Sequence, residues 1–355
     1  MENPFKKRLI DLYDQGIKQK LDAIILFGES NIKSLVGYSC DNACLIIDIK
    51  EDSYSFYTDS RYDVEAKRLA PWLDVHLMWD ETKSESRFFK NFSKQWKRIG
   101  FEGSITASRY IVLSTTLKKT KFIDVENDIL SLRSVKTPYE IRAIAKAEAM
   151  TDKVWSLACE KISYGMTEKE IRKIIRGIMN ELGADGEAFP TIVCAGANSA
   201  ECHHIPDDTV WKKGEPLLVD MGVKLDGYCS DMTRNIPALD DEEYMKIYRI
   251  VLKANKAAIK AAKKGMTCKE IDDVARKIIS DAGYAKEFCH SLGHGVGIDI
   301  HESPTLHPRF QSSLEENMVV TIEPGIYIAG KFGVRIEDLI VITSKGSRRL
   351  SHSSK

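Results

Sequence analysis

"GMTEKEIRKIIRGIMNELG" (residues 165–183) and "GMTCKEIDDVARKIISDAG" (residues 265–283) are two versions of one segment, identical at nine of nineteen positions and offset by one hundred residues. Each carries a threonine, Thr167 or Thr267, followed three residues later by Glu170 or Glu270. That spacing is the capping box of a helix start. Each closes on a glycine, a common C-terminal stop. In the first copy Ile171, Ile174, Ile175, Ile178 and Leu182 line one helical face. Each copy follows a longer helical stretch and leads into strand-rich sequence. Two copies are too few for a solenoid. They predict a pseudo-twofold domain, in which two helix-pair-plus-sheet halves close around a crevice suited to a site.

Upstream of the repeat, "VKTPYEIRAIAKAEAM" starts a long helix, with Thr137 as N-cap, Pro138 in the first helical position and Glu140 completing a capping box. The domain boundary is expected just before it, giving domains 1–131 and 132–355. In the first, "DAIILF", "ACLIIDI" and "YSFYTD" read as strands, and "FKKRLIDLYDQGIKQK" and "RYDVEAKRLA" as helices. That segment is an α/β domain without a chemical constellation; His76 there reads as a surface or structural group. The fold class of the whole is α/β (α+β).

The 355 residues suffice for two domains with real cores. Lys plus Arg and Asp plus Glu both number 52, so the net charge is zero, which argues against nucleic acid or an anionic membrane as the main partner. "MENPFKKRLIDLYDQG" has no apolar signal region, and no run is long enough to span a bilayer. Eight cysteines without a CxxC pair fit reduced thiols in a cytoplasmic protein.

The chemistry begins in "VDMGVKLDGYCSDMTR", residues 219–234. It reads as two strands joined at Asp226-Gly227, a dipeptide suited to a two-residue hairpin turn. That register sets Asp231 opposite Gly222, and Asp220 shares a face with residue 222. The two carboxylates are then diagonal neighbours, about 7–8 Å apart at the backbone. Buried unpaired anions are costly, so the pair needs a cation. For an isolated pair, an ion bridge to a base such as Arg234 is the simpler answer. Further on, "HSLGHGVGIDIHE" supplies His290, His294 and His301, "VVTIEPGIYI" sets Glu323 in an apolar strand, and "GVRIEDLIVI" sets Glu337 in another on the face of Arg335. Intrastrand acids and glycine-flanked histidines in both copies favour a pair of divalent ions such as Mn²⁺, Co²⁺ or Zn²⁺, and metal-assisted hydrolysis by a bridging hydroxide.

The ordered set "VDMG", "SDMTR", "GHGVGIDIHE", "TIEPG" and "GVRIED" resembles the pita-bread metallopeptidases, which include methionine aminopeptidase, aminopeptidase P and prolidase. "SNIKSLVGY" and "YTDSRYDVEA" resemble the N-terminal domain of the aminopeptidase P and prolidase branch. The resemblance implies a creatinase/prolidase-like N-terminal domain before a pita-bread catalytic domain. It implies metal ligands at Asp220, Asp231, His294, Glu323 and Glu337, with Asp231 and Glu337 bridging and Glu323 also handling a proton. It implies that His301 polarises the scissile carbonyl, that His203 and His290 line the substrate pocket, and that Arg335 steadies the carboxylates. "NSAECH" stands where "NSALPH" is usual, His204 competes with His203 for the pocket role, and Leu339 replaces a frequent threonine.

The expected function is removal of an N-terminal residue from Xaa-Pro peptides, with manganese as the first metal choice. Prolidase, acting on Xaa-Pro dipeptides alone, is the alternative. A metal-free creatinase-like hydrolase or a non-catalytic binding protein is a more remote one, since the ligand set is intact. A homodimer is expected from the resemblance alone.

Overall fold

The computed structural model describes residues 5–78 and 84–355. They form two compact units that divide between Arg133 and Ser134.

The first unit runs α1 (Lys6–Lys18), β1 (Ala23–Leu26), α2 (Glu29–Val36), β2 (Cys44–Asp48), β3 (Ser53–Thr58), α3 (Asp63–Leu69), β4 (Asp74–Leu77), α4 (Glu85–Lys90), β5 (Arg98–Phe101), α5 (Ala107–Thr116), β6 (Lys121–Asp124) and α6 (Glu126–Ser134). Its strands make one sheet in the order β4-β3-β2-β1-β5-β6. The β1–β2 and β2–β3 pairs are antiparallel and the other pairs are parallel. Central strand β1 reads AIIL because both its faces are covered: Ile24 and Leu26 join one apolar cluster, Ala23 and Ile25 another.

The second unit contains the repeat. Its first half comprises α7 (Pro138–Lys161), α8 (Glu168–Glu181), β7 (Gly186–Glu187), β8 (Ile192–Ala195), β9 (Leu217–Met221), β10 (Val223–Leu225), β11 (Tyr228–Cys229) and β12 (Met232–Ile236). Its second comprises α9 (Glu242–Ala261), α10 (Cys268–Asp281), β13 (Gly293–Gly295), β14 (Glu302–Leu306), β15 (Val319–Ile322), β16 (Gly325–Ile328), β17 (Phe332–Arg335), β18 (Asp338–Ile342) and β19 (Ser347–Arg349). All three expected capping boxes form: Thr137, Thr167 and Thr267 accept from the N3 amides, and the paired glutamates return to the threonine N–H groups. Each cap contributes about 1 kcal/mol. The copies also dock alike. Gly165 N–H donates to the Trp211 carbonyl and Gly265 N–H to that of Leu314, while Thr167 bridges Val210 and Thr267 bridges Ser313. The isoleucine stripe of α8 buries Ile171, Ile175 and Ile178, each worth about 1.5–3 kcal/mol. A shared apolar cluster joins Tyr228 and Cys229 of one half to Val296, Val319 and Leu339 of the other.

The hairpin turns where the sequence predicts. Asp226 and Gly227 have φ of 53° and 76°, and Leu225 pairs with Tyr228 and Lys224 with Cys229. The same register resumes at Met221–Met232 and Asp220–Thr233. Between these stretches the ladder breaks at Gly222. A Cβ there would lie 1.9 Å from the Ser230 carbonyl oxygen, so glycine is required by close approach. The break divides a β12-β9-β8 sheet from a β11-β10-β7 sheet.

Asp231 therefore lies in the break, not inside a strand as the apolar pattern suggests. The second half repeats the device: Glu323 follows the end of β15, and Glu337 sits between β17 and β18. Of the four acids only Asp220 is within a strand. A break releases a side chain from strict alternation, and the freed amides find partners elsewhere. Asp231 N–H donates to Glu148, Glu323 N–H to the Leu292 carbonyl and Glu337 N–H to the Thr233 carbonyl.

Candidate metal centre

The two broken hairpins and strand β13 bring the acids and one imidazole together. His294 Nε2 lies 3.5 Å from Asp231 Oδ2 and 3.5 Å from Glu323 Oε1. Asp231, His294 and Glu337 each offer a ligand atom within 4.8 Å of the others. His294 Nδ1 is 3.1 Å from the Gly295 carbonyl oxygen. A carbonyl only accepts, so Nδ1 carries the proton and Nε2 presents a lone pair. Burial, with His301 beside it, lowers the imidazole pKa to about 4 and keeps it neutral.

The acids are held by a hydrogen-bonded frame. Arg335 Nη2 donates to Asp220 Oδ2 at 2.7 Å and Arg335 Nε to Thr233 Oγ1 at 3.0 Å. Thr233 in turn donates to Glu337 Oε2 at 2.7 Å. Thr321 Oγ1 donates to Glu323 at 3.3 Å and accepts from the His294 amide. Arg234 takes no part in the acid pair. One residue beyond Thr233, it binds Asp338 at 3.0 Å and the Glu337 carbonyl. The ion-bridge reading that named Arg234 thus fails by strand alternation.

Burial, then the charges of the neighbouring acids, push Asp231 and Glu337 well above the usual carboxylate range. Burial likewise raises Glu323 to about 8. Among the described residues no lysine or arginine pairs with these three acids, and buried Asp220 Oδ1 has no hydrogen-bond partner. Four carboxylates and a neutral imidazole, with only Asp220 matched by a cation, suit hard or borderline divalent ions. The donor set fits a metal pair.

The histidines around it differ in use. The exposed His301 ring lies 4.4 Å, centroid to centroid, from that of His294. Partial burial, then the charge of His203, lower its pKa, and His203 acts on His290 in the same direction. His290 Nδ1 meets the Ser291 carbonyl at 2.8 Å, and Nε2 meets the Tyr327 hydroxyl at 2.9 Å. Tyr327 also accepts from Arg335 at 2.9 Å, so both ring nitrogens of His290 are engaged. Exposed His203 and its neighbour His204 separate clearly. His204 Nε2 is 2.7 Å from Glu168 Oε2, inside a second group of Glu168, His204 and Asp207. Glu168 further accepts from Ala195 N–H, Asn198 and Asp207 N–H. Its oxygens are saturated, which makes this group an anchor for the loop that carries His203.

Sequence reading did not find Thr233, Thr321, Tyr327, Glu148 or Glu168. Each is a single polar residue in an apolar strand or on a helix, where periodicity gives no sign of a distant partner.

Residues 142–344 match the model of metallopeptidase family M24. The chain belongs to that family. Residues 8–135 match the creatinase/prolidase N-terminal domain, so the M24 chain carries both expected parts. It is 38% identical over 298 residues to the Xaa-Pro dipeptidase of Pyrococcus furiosus, an alignment covering 82% of this chain and 86% of that one. It is similar in structure to the prolidase of Pyrococcus horikoshii, with TM-score 0.91, 33% identity and coverage of 98% and 99%. The X-Pro aminopeptidase of Thermotoga maritima also resembles it, with TM-score 0.87, 32% identity and coverage of 96% and 98%. Among the described residues, no helix of this M24 chain is long and apolar enough to cross a membrane.

Proposed function

We propose that this M24 metallopeptidase is a prolidase, hydrolysing Xaa-Pro dipeptides with two divalent ions, manganese first among them. The convergence of Asp220, Asp231, His294, Glu323 and Glu337 carries the reading. Of the relatives named above, one is an Xaa-Pro dipeptidase, one a prolidase and one an X-Pro aminopeptidase, which supports the dipeptidase over the aminopeptidase P-like activity expected first from the sequence.

Asp220, Asp231, His294, Glu323 and Glu337 would hold the ions. When bound, such ions supply Lewis acidity that lowers the pKa of water and polarises a carbonyl. Glu323, with Oε1 3.5 Å from His294 Nε2, would take and return a proton beside the ions. His301, at the exposed side of His294, is placed to donate to the developing oxyanion of the scissile carbonyl. His203 would hold the substrate from the loop anchored by Glu168. The Arg335–Tyr327–His290 chain positions the acids and the pocket wall. An Xaa-Pro bond lacks the amide N–H that other peptidases grip, so a site built on carboxylates and imidazoles suits it.

Turnover of Xaa-Pro and Xaa-Pro-Xaa peptides with Mn²⁺, Co²⁺ or Zn²⁺ tests the reading. The dipeptide is expected to be cut at least tenfold faster. Equal or faster cleavage of the tripeptide would restore the aminopeptidase, and cleavage of neither would reject both.

A further inference from the structure

Cys202 and Cys289 are 87 residues apart in sequence, yet their sulfurs lie 3.8 Å apart. Both are free thiols, Cys202 half-buried and Cys289 exposed. Cys202 immediately precedes His203 in the loop between β8 and β9, and Cys289 immediately precedes His290 beyond α10. The loop therefore belongs to the first half of the pseudo-twofold unit and its sulfur partner to the second. The Cys202 carbonyl also accepts from Arg335 Nη1 at 3.4 Å, which ties this backbone to the guanidinium that holds Asp220.

We propose that Cys202 and Cys289 are a peroxide-oxidisable dithiol whose closure to a disulfide locks the His203 loop against the His290 segment and suppresses turnover. A disulfide brings its sulfurs to about 2.05 Å, so closure needs an approach of about 1.8 Å from the observed 3.8 Å. Exposed Cys289 meets the oxidant first. Its sulfur attacks one peroxide oxygen, the O–O bond breaks, and a sulfenic acid and water form. The Cys202 sulfur then attacks the Cys289 sulfur, the S–O bond breaks, and a second water leaves. In balance, two thiols and one hydrogen peroxide give one disulfide and two waters. Burial, followed by the charge of Cys289, pushes the Cys202 thiol up to about 11, so the second step is the slower one at neutral pH.

The effect on turnover rests on the dipeptidase reading, but formation of the bond does not. The test treats the metal-free full-length protein with stoichiometric hydrogen peroxide and removes the excess with catalase. Thiols are then counted under denaturing conditions and the non-reduced digest is read by mass spectrometry. The eight thiols are expected to fall to six, with a Cys202–Cys289 cross-linked peptide, and to return to eight with dithiothreitol. Amide exchange across residues 196–206 is expected to slow at least fivefold. After manganese is added, Xaa-Pro turnover is expected to be at least tenfold lower than in the reduced protein and to recover with dithiothreitol. Cys289→Ser should keep basal turnover and lose the peroxide effect. Thiol loss confined to Cys159, no cross-link, or unchanged exchange would overturn the proposal, as would equal peroxide inactivation of Cys289→Ser. If the reduced protein cuts no Xaa-Pro peptide, the dipeptidase reading fails, while the cross-link and exchange results still decide this one.

Discussion

Arg335 donates to Oδ2 of Asp220 at 2.7 Å, and the other oxygen, Oδ1, is buried with no hydrogen-bond partner among the described residues. The guanidinium balances the charge of Asp220 and leaves one oxygen for a second cation. Arg335→Met should therefore destabilise the metal-free protein by about 3–5 kcal/mol, the usual cost of stranding one member of a buried pair. Urea denaturation at pH 8 measures it. A cost below about 1 kcal/mol would mean that Asp220 does not depend on Arg335.

Asp231→Asn and Glu337→Gln should move stability the other way. Each removes an acid from a buried cluster of like charges, so the metal-free variants should gain about 0.5–2 kcal/mol. Both should lose bound metal and peptidase activity. A higher melting temperature together with an empty metal analysis is the expected pair of results. Retained metal at full occupancy would remove these residues from the ligand set.

The metal-free protein should lose stability as pH rises from 6.5 to 9. Burial raises Glu323 and Glu148 from 4.5 to about 8, and raises Asp231 and Glu337 too. Between the ordinary and raised values the native state holds protons that the unfolded chain has released. Stability then falls with pH, by at most about 1.4 kcal/mol per unit for each proton. His290 and His294, lowered from 6.5 to about 4, act oppositely. They cost stability as pH falls from 6.5 towards 4, so above 6.5 the acids decide. Saturating manganese should flatten the decline, because bound ligands are deprotonated. A melting temperature that stays flat or rises across pH 6.5–9 without metal would contradict this.

The repeat made the pseudo-twofold plan legible, because capping boxes at Thr167 and Thr267 are local signals with local causes. The hairpin register was equally readable: a two-residue turn at Asp226-Gly227 sets one register on both sides of the break, from Leu225–Tyr228 to Asp220–Thr233. The breaks at Gly222 and before Glu337 were not. An alternating apolar pattern reads as one strand whether or not the ladder is interrupted, and at Gly222 the interruption comes with the close approach of the Ser230 carbonyl. Glu168 lies in the first turn of α8, yet it is buried beneath a loop whose donors lie 27 to 39 residues away. The 3.8 Å approach of Cys202 and Cys289 depends on how the two halves close, which local spacing does not encode.

Glu168→Gln should weaken substrate binding more than turnover. Its two oxygens accept four donors, and an amide would set an N–H group against some of them. A destabilisation of about 1–3 kcal/mol is expected. Loosening of the His203 loop should raise KM for Xaa-Pro at least fivefold with kcat within twofold. Equal loss in both would place Glu168 in the chemistry, and no change would remove it as the anchor.

Anomalous diffraction from crystals grown with ample manganese tests the central claim most directly. Two peaks are predicted, enclosed by Asp220, Asp231, His294, Glu323 and Glu337. No peak there, or manganese only at Glu168, His204 and Asp207, would contradict the account.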